Sequence, residues 1–223
     1  YVPVPNRLTN AARKDFTFPH PEALDEKCVV SGGRLRLQNE NNPEEFRVII
    51  VPSCELISLG NLGKIVDFYE GGGTVIFTTR LPRRSTEIGK DAEVAELMRS
   101  VFSAGEPADV GFVRNAANGL ACFIPRPDGP SLSEALAATG IGFDVDYPLR
   151  PDLQYIHKVV DGRDVYYFAN LGGAAVETEV SLRGRLELEE WDPHTGEVQK
   201  RPADFVAKGT SGFGVTKVTL NLK

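Results

Sequence analysis

The sequence predicts an α/β domain over residues 1–150 followed by an all-β domain over residues 151–223. Between Phe46 and Ala138, short continuous apolar runs alternate with segments whose apolar residues recur at helical spacing. From Gln154 onward that spacing is lost, and about seven short strand candidates follow one another in quick succession. The third observation is Leu186 to Gly196, where an alternating strand runs into the turn Asp192-Pro193-His194-Thr195-Gly196. There Asp192 can bond the backbone ahead of it, Pro193 presets φ, and Gly196 tolerates a positive φ. Trp191, the only tryptophan, sits where strand meets turn and is expected to fill the core or seam of the second domain.

Taken in order, residues 1–26 are poorly periodic and broken by Pro3, Pro5, Pro19 and Pro21, with a short helix expected after Thr9. Lys27 to Leu37 reads as a hairpin around Ser31-Gly32-Gly33, and Asn39 to Glu45 as polar loop. Phe46 to Pro52 is an apolar run of the buried parallel-strand type. Ser58 can cap a helix with Leu62, Ile65, Val66 and Tyr69 on one face, stopped by Gly71-Gly72-Gly73. Thr74 to Thr79 is a second buried strand, and Lys90 to Phe102 a second helix with Val94, Leu97, Met98 and Val101 aligned. Strands at Gly111 to Val113 and Leu120 to Ile124 precede a helix at Ser131 to Ala138. This alternation implies a partly parallel sheet with helices packed on it. Past a boundary near Pro148 to Pro151, strands are expected at 155–160, 163–169, 175–182, 185–191, 197–201, 205–207 and 215–222, with Asp161-Gly162 as a hairpin turn. Such a set forms a compact antiparallel sandwich.

Composition bounds the function. A 41% hydrophobic and 25% charged chain of 223 residues is an ordinary globular one. A net charge of -6 argues against nucleic-acid or anionic-membrane partners, and no apolar run reaches the roughly 20 residues of a membrane span. Cys28, Cys54 and Cys122 match no zinc spacing and read as small buried hydrophobes, with a disulfide between two of them as the alternative, which leaves the redox compartment unread. The opening Tyr-Val-Pro-Val-Pro-Asn, without methionine or leader, is expected to be the middle of a longer protein.

No cofactor or metal motif occurs. Gly71-Gly72-Gly73 precedes a strand, whereas a phosphate loop follows one and opens a helix. The loops at the carboxyl ends of parallel strands are the usual ligand positions in an open α/β sheet. Ser53 and Cys54 stand after the first strand but lack the glycines of a nucleophile elbow. After the second strand come Arg80, Arg83, Arg84 and Glu87. The arginines can clamp a carboxylate or phosphate, or form surface ion pairs. His20, His157 and His194 share no metal-ligand spacing, and a structural hydrogen bond is expected of His157. Glu55, Glu87, Asp144 and Asp146 lie near element ends, yet nothing in their spacing makes a glycosidase pair. Trp191 with Tyr155, Tyr166 and Tyr167 can form either a sugar-stacking platform or part of a sandwich core, the core being favoured.

Several passages carry a resemblance. Phe46 to Pro52, Leu62 to Phe68, Gly71 to Ile76, Leu81-Pro82 and Ser85 resemble the region after the catalytic barrel in large bacterial glycoside hydrolases of the α-L-rhamnosidase family 106-like group. Tyr155 to Lys158, Asp164 to Asn170 and Trp191 to Gly196 resemble that group's following β-sandwich. The resemblance implies a class I glutamine amidotransferase-like (flavodoxin-like) open sheet, incomplete at its amino-terminal side, plus a small antiparallel β-sandwich. The group's catalytic glutamates lie on the barrel, so no catalytic residue carries over. The implied role is a noncatalytic structural and interaction part, partnered by the barrel of the same parent, by a second copy or by oligosaccharide. A carbohydrate-binding module and a free-standing α/β hydrolase are the alternatives. A periplasmic or extracellular parent suits this reading, with the cytoplasm left open.

Overall fold

The computed structural model describes residues 14, 16–38, 44–142, 144–148, 150–207 and 214–222. The helix expected after Thr9 and most of the expected Asn39 to Glu45 loop lie outside these residues. The chain divides into two compact units, one holding Phe16–Gly140 and the other Ile141–Lys223 together with the short segment Arg13–Asp15.

In the first unit, Pro21 at the first helical position and the His20 side chain, accepting from the Glu22 amide, start the short helix α1 (Pro21–Lys27). Strands β1 (Cys28–Ser31) and β2 (Arg34–Leu37) form the expected hairpin, and β3 (Glu44–Phe46) extends it to three antiparallel strands. Its turn glycine Gly33 has φ +68 and lies so close to the Gly71–Gly73 backbone that a Cβ would sit 2.5 Å from Gly72 and Gly73 atoms. The triple glycine thus stops a helix and also receives the hairpin tip.

The main sheet has the order β4 (Val48–Val51), β6 (Thr74–Thr78), β9 (Leu120–Ile124), β8 (Gly111–Arg114), with the first three parallel and β8 antiparallel. Two further short strands, β5 (Leu56–Ile57) and β7 (Arg84–Ser85), pair in parallel beyond its carboxyl edge. Ser58 caps α2 (Leu59–Glu70) by accepting from the Asn61 amide at 3.2 Å. Helix α3 (Asp91–Val101) packs beside it. The two-residue period of β6 and β9 then divides the core. Val75, Phe77, Ala121 and Phe123 join Leu62, Ile65, Phe68, Val94 and Met98 in one buried cluster. Ile76, Cys122 and Ile124 point to the other face, where α4 (Gly129–Ala138), started by the Asp128 capping box, lies against β9.

The expected flavodoxin-like, amidotransferase-like open sheet followed by a sandwich is corrected here. A doubly wound sheet needs a reversal of strand order between its halves, which is also where its ligand crevice opens. Here β4, β6 and β9 follow one another monotonically, and an antiparallel strand closes the row after only three parallel members. Of the described residues 40% are strand and 21% helix, and the strands are shared among several small sheets. The expected partly parallel sheet is present, but its strand order is not the doubly wound one, because apolar runs announce buried strands without stating their order.

The second unit is antiparallel throughout its described strands. Strands β10 (Val145–Asp146), β13 (Val176–Arg183), β17 (Val215–Leu222) and β16 (Asp204–Val206) form one sheet in that order. Two hairpins stand separately, β11 (Leu153–Val160) with β12 (Arg163–Asn170), and β14 (Leu188–Trp191) with β15 (Val198–Arg201). All seven strand candidates from residue 154 onward are present. Asp161 and Gly162 both have positive φ, +50 and +73, as a two-residue turn matched to the strand twist requires. Val145, Tyr147, Leu153, Val176, Val180, Leu182 and Val218 form the core, and alternate residues of β13 enter it.

Candidate functional site

In the first unit, the chain leaves β6 through a γ-turn centred on Thr79, whose φ of +66 is rare for a β-branched residue. The Arg80 amide donates back to the Thr78 carbonyl at 2.7 Å. This swings Arg80 outward, where its guanidinium lies 3.6 Å from Glu55; Arg84 is 4.0 Å from the same carboxylate. The backbone amides of Arg83 and Arg84 both donate to the Glu55 carbonyl, which seats the loop on the segment just before β5. Arg83 pairs with Glu106 at 3.4 Å, and Glu106 also accepts from the Leu81 amide at 2.9 Å. Glu87 serves another purpose. Its carboxylate accepts from the Leu59 amide, 3.2 Å away, and from the Ser85 hydroxyl. The Ser85 hydrogen bond, then the Leu59 amide, hold the Glu87 carboxyl below its usual range. It covers the amino end of α2. The structure therefore gathers Arg80, Arg83 and Arg84 around Glu55 and Glu106, with Glu87 bound to the neighbouring helix end.

The three thiols are unpaired with one another. Burial raises all three, and pushes Cys122 up to about 12. A thiol so shifted is not a nucleophile at neutral pH. Among the described residues no group of His, Cys, Asp and Glu could hold a metal ion, and no helix is long and apolar enough to cross a membrane.

In the second unit, His157 lies on the inward face of β11 with its side chain 14% exposed. Its Nδ1 is 3.1 Å from Asp144 and its Nε2 2.8 Å from Asp164, while the Tyr166 ring stacks on it at 4.3 Å. Asp144 also pairs with Arg183, whose backbone amide donates to the Asp144 carbonyl. The Asp144 hydrogen bond, reinforced by Asp164, raises the His157 pKa against the opposing effect of burial. A carboxylate stands against each ring nitrogen, so both are engaged within the fold. The imidazole clamps β11 and β12 to the segment before β10, as the expected structural hydrogen bond requires. Asp164 and Arg183 were not singled out in the sequence, yet a signal existed. The Asp161-Gly162 turn fixes the register that pairs His157 with Tyr166, and Asp164 is then a diagonal neighbour.

Trp191 departs from expectation. It fills neither core nor seam, being 69% exposed, as is its cross-strand partner Val198 at 52%. The tyrosines divide as their strand positions dictate: Tyr155 and Tyr166 pack on the core, while Tyr167 is exposed.

The family model for glycoside hydrolase family 106, described as alpha-L-rhamnosidase, matches residues 6–203. The chain belongs to this family. No curated protein matches it. Among the solved structures similar to it are Gan42B, a GH42 beta-galactosidase from G. stearothermophilus, and a catalytic mutant of the same enzyme. The first is 14% identical with a TM-score of 0.44, over 79% of this chain and 31% of that one. The second is 13% identical with a TM-score of 0.43, over 79% and 32%. The family 106 chain thus spans about a third of the length of the solved structures it matches. Its setting is that of a carbohydrate-active enzyme.

Proposed function

We propose that this chain is a noncatalytic structural and interaction part of an α-L-rhamnosidase-like glycoside hydrolase, docking on a catalytic barrel of the same parent or supporting its self-association. The observation that carries the reading concerns the carboxyl groups. A glycosidase acid must keep its proton near neutral pH, so its pKa must be raised. Six carboxyls instead move the other way: Glu45, Glu87, Glu93, Asp128, Asp152 and Asp192. Each is held low by hydrogen bonds from arginine, lysine, hydroxyl or backbone donors. The arginines that could have clamped an anionic substrate already face Glu55 and Glu106.

The test is hydrolysis of aryl α-L-rhamnosides by the 223-residue chain beside its full-length parent. The parent should turn over and the chain should not. Turnover by the chain that a single carboxylate substitution abolishes would overturn the proposal.

A further inference from the structure

The hairpin β14–β15 is built inside out. On a half-buried hairpin, apolar side chains face the core and charged ones face water. Here the inward positions are Leu188, Glu190, Gln199 and Arg201, and the outward positions are Glu189, Trp191, Val198 and Lys200. The inward face is firmly tied. Leu188 packs on the core of the unit, Arg201 pairs with Glu190 at 3.1 Å, and Arg201 donates to the Thr219 carbonyl of β17 at 2.9 Å. The loop is equally fixed. Asp192 accepts from the His194 and Thr195 amides at 2.7 and 3.2 Å, and its backbone exchanges hydrogen bonds with Gly196 and Glu197. The outward indole is therefore held on a rigid support, in the open, with a valine beside it and one acid and one base on the next cross-strand pair.

We propose that the outward face of β14–β15 is a carbohydrate-binding site, with Trp191 as the platform for one pyranose ring of an oligosaccharide. The axial C–H groups of a pyranose face are apolar and slightly positive, and suit the negative face of an indole. Glu189 accepts from ring hydroxyls at the edge of the stack, and Lys200 donates to them. The dimensions favour a sugar over a protein. A stable protein interface covers about 800 Å² on each partner. One indole and one valine bounded by charges offer a fraction of that, yet enough to cover one ring. The proposal rests on the family membership and on this geometry, and goes beyond the noncatalytic role proposed above.

Trp191 is the only tryptophan, so fluorescence excited at the red edge of absorption, where tyrosine does not absorb, reads this site alone. The full chain is titrated with methyl α-L-rhamnopyranoside, cellotetraose and galactotetraose, and calorimetry repeats any response. At least one probe should give a saturable emission change with a dissociation constant in the millimolar range. Trp191→Ala should abolish the calorimetric signal with the far-UV circular dichroism unchanged, Trp191→Phe should keep part of it, and Glu189→Gln should weaken it several-fold. Flat titrations with all three sugars would overturn the site, as would undiminished binding by Trp191→Ala. Emission that moves with protein concentration in the absence of sugar would assign the face to self-association instead, and would equally overturn it. None of these failures touches the noncatalytic proposal, which only turnover by the chain can sink.

Discussion

The two hairpins of the second unit that stand outside its main sheet divide their aromatic side chains differently. In β11–β12 Tyr155, Tyr166 and Phe168 turn inward, with Tyr155 6.1 Å from Tyr147 and 6.0 Å from Phe168, and Tyr167 alone turns outward. In β14–β15 the aromatic turns outward, and an Arg201–Glu190 pair takes the inward place. Both are short antiparallel ribbons with well-formed turns. What sorts the rings is the parity of each aromatic along its strand, which decides whether it supports the fold or faces solvent.

This contrast predicts unequal mutational costs. Phe168→Ala should cost about 2–4 kcal/mol, since it removes an aromatic packed against the core. Trp191→Ala should change stability by no more than about 0.5 kcal/mol, because a side chain largely in water loses little packing. Urea unfolding of the two variants measures both; a Trp191→Ala cost near that of Phe168→Ala would abolish the distinction.

The next effect sharpens the first hairpin. The folded pKa of His157 lies above its unfolded value. Its contribution is therefore fully present below the unfolded value of about 6.5, and is lost as pH rises through the folded pKa. Unfolding midpoints followed across that window should decline, and Asp164→Asn should flatten the decline at a cost of about 1 kcal/mol at acid pH. A stability profile that rises over the window would contradict the clamp. The smallest effect is expected in the first unit. Arg80→Ala and Arg84→Ala break exposed, long ion pairs to Glu55, so each should lower stability by at most about 0.5 kcal/mol. A thermal melt showing a large loss would mean that these arginines hold the loop more tightly than their geometry implies.

Local structure was legible in the sequence because each element carried its own signal. Ser58 marked a helix start, Gly71 its stop, Asp161-Gly162 a turn, and alternation in Val176–Arg183 a half-buried strand. Grouping was not legible. Nothing in Gly111–Arg114 tells that this strand runs antiparallel beside Leu120–Ile124, and that one reversal is enough to turn an expected open sheet into a short mixed one. The surface clusters were half legible. Arg80, Arg83 and Arg84 were visible as a group, but their partners Glu55 and Glu106 come from other segments, and only folding brings them there. Trp191 was located correctly in its strand and turned to the wrong face. A lone tryptophan on a strand is ordinarily core, and the contrary sign was the charged residue Glu190 beside it, whose parity matches that of Leu188.

Acrylamide quenching of Trp191 fluorescence, without sugar and with each of methyl α-L-rhamnopyranoside, cellotetraose and galactotetraose in turn, the responding sugar deciding, tests the outward-facing hairpin most directly. Ready quenching in the free chain and clear protection by the sugar are the predicted results. An indole already shielded in the free chain, or one that quenches equally with sugar present, would contradict the account.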